Sequence, residues 1–78
     1  MSTRTYTPGA ILTRRGPPLY MLTSNDKEDI WFYPHQIFTV IDCRPHERDQ
    51  LGRWVTAAIS GLGVRTCLVY TTGDFYPA

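Results

Sequence analysis

A chain of 78 residues holds material for one hydrophobic core and excludes a large multidomain enzyme. With 42% hydrophobic and 19% charged residues it has the balance of a folded globular domain, and a formal net charge of +1 singles out neither nucleic acid nor an anionic membrane as partner. No apolar run approaches the roughly 18 to 20 residues that cross a bilayer, and MSTRTYTPGA lacks the apolar segment of a secretory leader, so no membrane partner and a cytoplasmic location are expected.

Residues 1–8 are polar and end on the turn signal Pro8-Gly9, which predicts a flexible N-terminus before one small domain over residues 9–78. A strand is expected near 9–14, closed by Gly16-Pro17-Pro18, where adjacent prolines remove two backbone donors. Leu19 to Thr23 is the next β-prone run, and Ser24 to Asp29 after it reads as a solvated loop tip. The aromatic stretch at 30–33 stops at Pro34, and a strand over 37–43 follows. Alternation places Phe38 and Val40 on one face and Ile37, Thr39 and Ile41 on the other, and the unbroken apolar and β-branched run predicts cover on both sides. Cys43 to Gln50 is charged and reads as an exposed excursion.

Residues 51–63 carry two periods at once. Leu51, Trp54, Val55, Ala58, Ile59 and Leu62 fall at helical spacing, while Val55, Ala57 and Ile59 alternate as a strand does. Gly52 would cost a helix about 1 kcal/mol relative to Ala, and Trp54, Val55, Thr56 and Ile59 all favour strands. If residues 51–60 are strand, Gly61-Leu62-Gly63 is a hairpin turn into a final strand over 64–72, but periodicity alone leaves helix and strand nearly even.

From Pro18 to Ile41 the chain resembles an SH3 domain. Pro18-Leu19-Tyr20-Met21-Leu22 looks like the family's ALYDY block, Glu28-Asp29-Ile30-Trp31-Phe32 like its DELSF turn, and Ile37 to Ile41 like the strand after it. Trp54-Val55-Thr56-Ala57 is similar to the WWxA strand, with an unusually long loop before it. The resemblance implies a mainly β, five-stranded SH3-like barrel with strands near 9–14, 30–33, 37–43, 53–60 and 64–72. The alternative is an α+β fold in which residues 46–60 form a helix on a small antiparallel sheet. It further implies that Tyr20 and Trp54 line a binding face with Asp29 on the acidic loop beside them, and Trp31 of the turn block joins this candidate set. The family's closing Gly-aliphatic-Pro-Ser-Asn-Tyr element, which walls the proline-peptide groove, is absent after Val64, and Leu22 replaces the second aromatic of ALYDY. In this the chain is similar to bacterial and phage SH3-like proteins that keep the barrel and lose the groove.

Nothing in the sequence outlines an active site. His35 and His46 lack metal-ligand spacing, no nucleophile signature surrounds Cys43 or Cys67, and Gly61-Leu62-Gly63 lacks the residues of a phosphate loop. The two cysteines read as small, reduced, unjoined side chains, and no enzyme activity, cofactor or metal is expected. Ten aromatic residues exceed what so small a domain can fully bury, and rings left at a surface commonly anchor partners. The expected function is therefore a protein-interaction module that binds or regulates a larger protein, such as a host or viral enzyme. A small nucleic-acid-binding barrel using Arg14, Arg15, Arg44, Arg48, Arg53 and Arg65 with aromatic platforms is the alternative, weakened by the interspersed Glu47 and Asp49.

Overall fold

In the computed structural model, which describes residues 6–24, 29–71 and 75–78, the β-branched and aromatic runs all become strands. They are β1 (Ile11–Arg14), β2 (Leu19–Met21), β3 (Ile30–Phe32), β4 (Phe38–Pro45), β5 (Gly52–Ile59), β6 (Gly63–Tyr70) and β7 (Phe75–Pro77). A five-stranded sheet runs β6-β5-β4-β1-β7 and a two-stranded one pairs β2 with β3, every pair antiparallel. The domain is thus mainly β, and the α+β alternative with residues 46–60 helical is overturned. Residues 52–59 pair on both sides, with β4 and with β6, and bury Val55, Ala57 and Ile59. The period of two prevails because all three of those side chains enter one core, whereas the helical set includes Leu51, which stays exposed.

Two turns explain why β4, β5 and β6 form a meander. Gly61 and Gly63 have φ of +81°, a region glycine enters freely, and the Leu62 N–H donates to the Ile59 carbonyl (2.9 Å) to close the loop. On the other side Gly52 sits where a Cβ would lie 3.3 Å from the Cβ of His46 and from Cδ1 of Leu68, so a larger residue there would push on the 46–51 loop that packs down on β5. In β4 the register slips between Val40 and Asp42, which makes Ile41 the extra residue of a bulge.

Several expectations are corrected. The large sheet does not close into a barrel, since β6 and β7 are its two edges. Its β6 edge is taken instead by the chain after β2, through the Thr23↔Cys67 bridge and the N–H of Leu68 to the carbonyl of Leu22 (2.9 Å). Two strands are additional to the five expected: β2, within the β-prone run Leu19 to Thr23, and β7, three residues ending in Pro77, too short to show a period. The final strand stops at Tyr70. Tyr6, from the stretch expected to be flexible, is 3% exposed and its hydroxyl donates to the Tyr70 carbonyl (2.8 Å). The run 37–41 is covered on one side only: Phe38 and Val40 are buried, Ile37 and Ile41 are exposed. Residues 1–5, most of the 24–29 loop (25–28) and the 72–74 stretch lie outside the described residues.

The core joins the two sheets. Phe32 of β3, Phe38 of β4 and Phe75 of β7 form a triangle with ring centroids 5.1 to 5.6 Å apart, and Tyr6 meets Phe75 edge-on at 6.0 Å. Met21, Val40, Val55, Cys67 and Val69 pack around them, with Leu12, Ile30, Ala57 and Ile59. Val40→Asp places an unpaired charge in this core and should cost about 3 kcal/mol or more, enough to unfold so small a domain, as thermal melting would show. Tyr6→Phe should cost about 1 kcal/mol through the Tyr70 carbonyl it leaves unmet, and Tyr6→Ala about 3 kcal/mol through the lost ring, an order that urea unfolding measures.

Candidate functional site

The β2–β3 hairpin is three residue pairs long, and its alternation decides the surface. Met21, Ile30 and Phe32 point into the core, so Tyr20 and Trp31, directly opposite each other in the register, must point out. Each is 50% exposed, and their rings lie 5.1 Å apart at 58°. The Tyr20 hydroxyl donates to the Asp29 carboxylate. That hydrogen bond, with smaller contributions from desolvation and the negative charge of Asp29, raises the Tyr20 pKa above its ordinary value. Three of the four residues proposed from sequence therefore meet in direct contact.

The fourth, Trp54, lies further along the outer surface. Trp54 pairs with Leu68 in β6 and with Arg44 in β4, and Leu68 is held in turn to Leu22, two residues beyond Tyr20. Among the described residues no hydrogen bond or ring contact joins Trp54 to Tyr20, Asp29 or Trp31. Trp54 is itself half-buried, outside the core cluster, and its ring stacks on His46 at 5.5 Å and 28°. Beside it a concave pocket of about 470 Å³ is lined by Ser24, Arg44, Pro45, Glu47, Trp54 and Thr66. Its chemistry is mixed: an indole face, two hydroxyls, a carboxylate and a guanidinium that sits 4.0 Å from Asp42.

Local hydrogen bonds shape the loop that borders this pocket. His46 Nδ1 accepts the N–H groups of Arg48 and Asp49 (both 3.1 Å), Asp49 Oδ1 accepts that of Leu51 (3.0 Å), and Arg53 Nη1 donates to the carbonyls of Gln50 and Gly52 (both 2.7 Å). Side chains thus supply the partners that a strand ladder would otherwise provide. His46, singled out in the sequence only as lacking metal-ligand spacing, is the cap of this loop and stacks on Trp54. The only sequence signal for it was a polar residue two and three places before amides in a turn.

Three of the arginines are engaged locally. Arg14 is buried with Nε donating to the Pro17 carbonyl (2.7 Å), Arg53 is tied to its own loop, and Arg15 lies over the Tyr76 ring at 4.6 Å. Among the described residues no group of three or more His, Cys, Asp or Glu side chains is placed to hold a metal ion, and no helix is long and apolar enough to cross a membrane. Both cysteines are free, Cys43 half-buried and Cys67 buried, and the register sets Val55 between them. Burial pushes the Cys67 thiol up to about 11, partly offset by Arg65, and raises Cys43 as well. Comparison of the chain with protein-family models, with curated proteins and with solved structures finds no match in any of the three.

The raised thiol sets a pH dependence. An unfolded cysteine ionises near about pH 8.5, before the folded one does, so the stability held in the Cys67 thiol is present below that pH and is lost as pH rises towards 11. In native protein at neutral pH a thiol reagent should modify Cys43 first and reach Cys67 only at the rate of global unfolding, as mass spectrometry of the labelled chain would show.

Proposed function

We propose that this domain is a non-enzymatic protein-interaction module that binds or regulates a larger protein through Tyr20, Asp29, Trp31 and Trp54. The observation that carries the reading is the Tyr20–Trp31 pair, two large rings held half-exposed on a short hairpin whose other face is core. Rings fixed in this way lose little freedom on binding and bury much apolar area, which makes them common anchors of protein interfaces. The Asp29 carboxylate at their margin and the Trp54 pocket further along add polar and concave features to the same surface.

The strands are read here as a divergent, open SH3-like arrangement. Supporting that reading, the ALYDY-like block supplies β2, the described part of the DELSF-like block leads into and forms β3, the block after it opens β4, and the WWxA-like block lies within β5. Because the Pro and Tyr walls of the family's groove are missing, the partner is a folded surface or a segment other than a generic proline-rich peptide.

Trp31→Ala and Trp54→Ala should each weaken capture of the partner by about 2 kcal/mol, roughly 30-fold in affinity, with the melting temperature nearly unchanged. Affinity capture with the tagged wild-type chain and both variants, followed by calorimetric titration of the recovered partner, measures this. Binding that survives both substitutions would overturn the reading, and a collapse in melting temperature for Trp54→Ala would make that ring a structural one.

A further inference from the structure

The pocket beside Trp54 has a lining that is held in place by contacts outside the cavity. His46 stacks on the indole but does not line the cavity, so it backs the ring, and its Nδ1 is fixed in turn by the N–H groups of Arg48 and Asp49. Elsewhere in the lining the Ser24 N–H donates to the Thr66 carbonyl (3.0 Å), which sets two hydroxyl residues side by side. The Thr66 hydroxyl shares one hydrogen bond with that of Thr56 (2.8 Å), so one hydrogen of that pair is left to donate elsewhere. Among the described residues no hydrogen bond engages the Ser24 hydroxyl or the Glu47 carboxylate. Arg44 meets Asp42 through Nε alone, at 4.0 Å and with both side chains more than half exposed, which leaves the two terminal nitrogens of its guanidinium to donate.

We propose that this pocket binds a neutral pyranose sugar, a mono- or disaccharide of glucose configuration with equatorial hydroxyls. Charge does the selecting. A phosphate ligand would meet Glu47 and Asp42 as like charges, and an ammonium or guanidinium ligand would meet Arg44. A neutral polyol meets neither obstacle and needs what the lining holds in mixture: donors from Arg44, acceptors from Glu47, and the hydroxyls of Ser24 and Thr66, which serve as either. The planar forks of a guanidinium and a carboxylate each span two adjacent oxygens, which suits the vicinal hydroxyls of such a ring. The axial C–H bonds of the sugar form a flat apolar face that packs on an indole, and Trp54 with Pro45 supplies the apolar part of the lining. The volume of about 470 Å³ lies in the lower part of the range of small-ligand sites. Ser24, Arg44, Pro45 and Glu47 are all exposed and leave the pocket open to solvent, which sets weak binding, roughly millimolar. This site goes beyond the protein-interaction reading and does not rest on it, since it needs no protein partner.

Titration of the full chain with cellobiose and with methyl β-glucopyranoside to tens of millimolar, read by amide and indole N–H chemical shifts, tests the proposal. Saturable shifts should centre on Ser24, Glu47, Trp54 and Thr66. Glu47→Gln and Arg44→Gln, both at exposed positions, should each weaken binding about tenfold with the melting temperature unchanged, because each removes a charged partner of the sugar hydroxyls. Trp54→Ala should abolish saturation. Trp31→Ala, which the protein-interaction reading predicts to weaken partner capture, should leave sugar binding where it is, so the two readings fail separately. No saturable shift with either sugar overturns the proposal. So do shifts centred on Tyr20 and Trp31, and sugar binding indifferent to both Glu47→Gln and Arg44→Gln. Saturation by adenosine monophosphate or arginine amide at lower concentration than by the sugars also overturns it, since that would mark an anion or a cation site.

Discussion

Phe75 is the ring on which this open sheet depends. It sits on a strand of three residues that pairs only with β1, so its backbone bonds by themselves hold little. Its side chain touches Phe38 of the central strand, Phe32 of the separate hairpin and Tyr6 of the N-terminal segment. One aromatic contact cluster therefore does what hydrogen-bond closure does in a barrel, joining the last strand, the middle of the sheet, the hairpin and Tyr6. Packing is non-directional and can bridge elements whose edges never meet, whereas a ladder needs edges of matching length. β7 is too short to supply such an edge, and the β6 edge is already engaged by residues 22–24.

The candidate site is a consequence of that arrangement. β2 and β3 are an isolated pair of three residues each, which alone is marginal in water. Met21, Ile30 and Phe32 anchor the hairpin in the core, each contributing on the order of 1.5 to 3 kcal/mol by burial. The same alternation obliges Tyr20 and Trp31 to face water. At the other end of the surface, Gly52 and the His46 hydrogen bonds draw the β4–β5 loop against Trp54, so that one ring is both partly sheltered and available beside a pocket. The aromatic pair and the pocket are thus two features placed by different constraints, one on each sheet.

Much of this was legible in the residues. β1, β3, β4, β5 and β6 lie where β-branched and aromatic runs put them, and Phe38, Val40 and Val69 are buried as their alternation requires. The Gly61-Leu62-Gly63 turn was readable because the residue type that tolerates positive φ stood between two alternating runs. The direct meeting of Tyr20, Asp29 and Trp31 was also within reach, since a hairpin brings together residues that are close in sequence.

What the residues alone determined is local: which stretches extend, where the chain turns and which side of each strand is apolar, because φ/ψ preference and the period of two act over a few neighbours. Only the tertiary structure decided that residues 51–63 answer to the strand period rather than the helical one, since β4 and β6 had to flank them on both sides first. It alone decided that the sheet stays open, that Tyr6 is drawn into the core, that Leu22 is bonded to Leu68, the partner of Trp54, and that Ile37 and Ile41 are left bare. Each of these turns on contacts between residues far apart in the chain, and the free energy that selects among them comes from burying shared area, a property of pairs of elements that no single stretch of sequence carries.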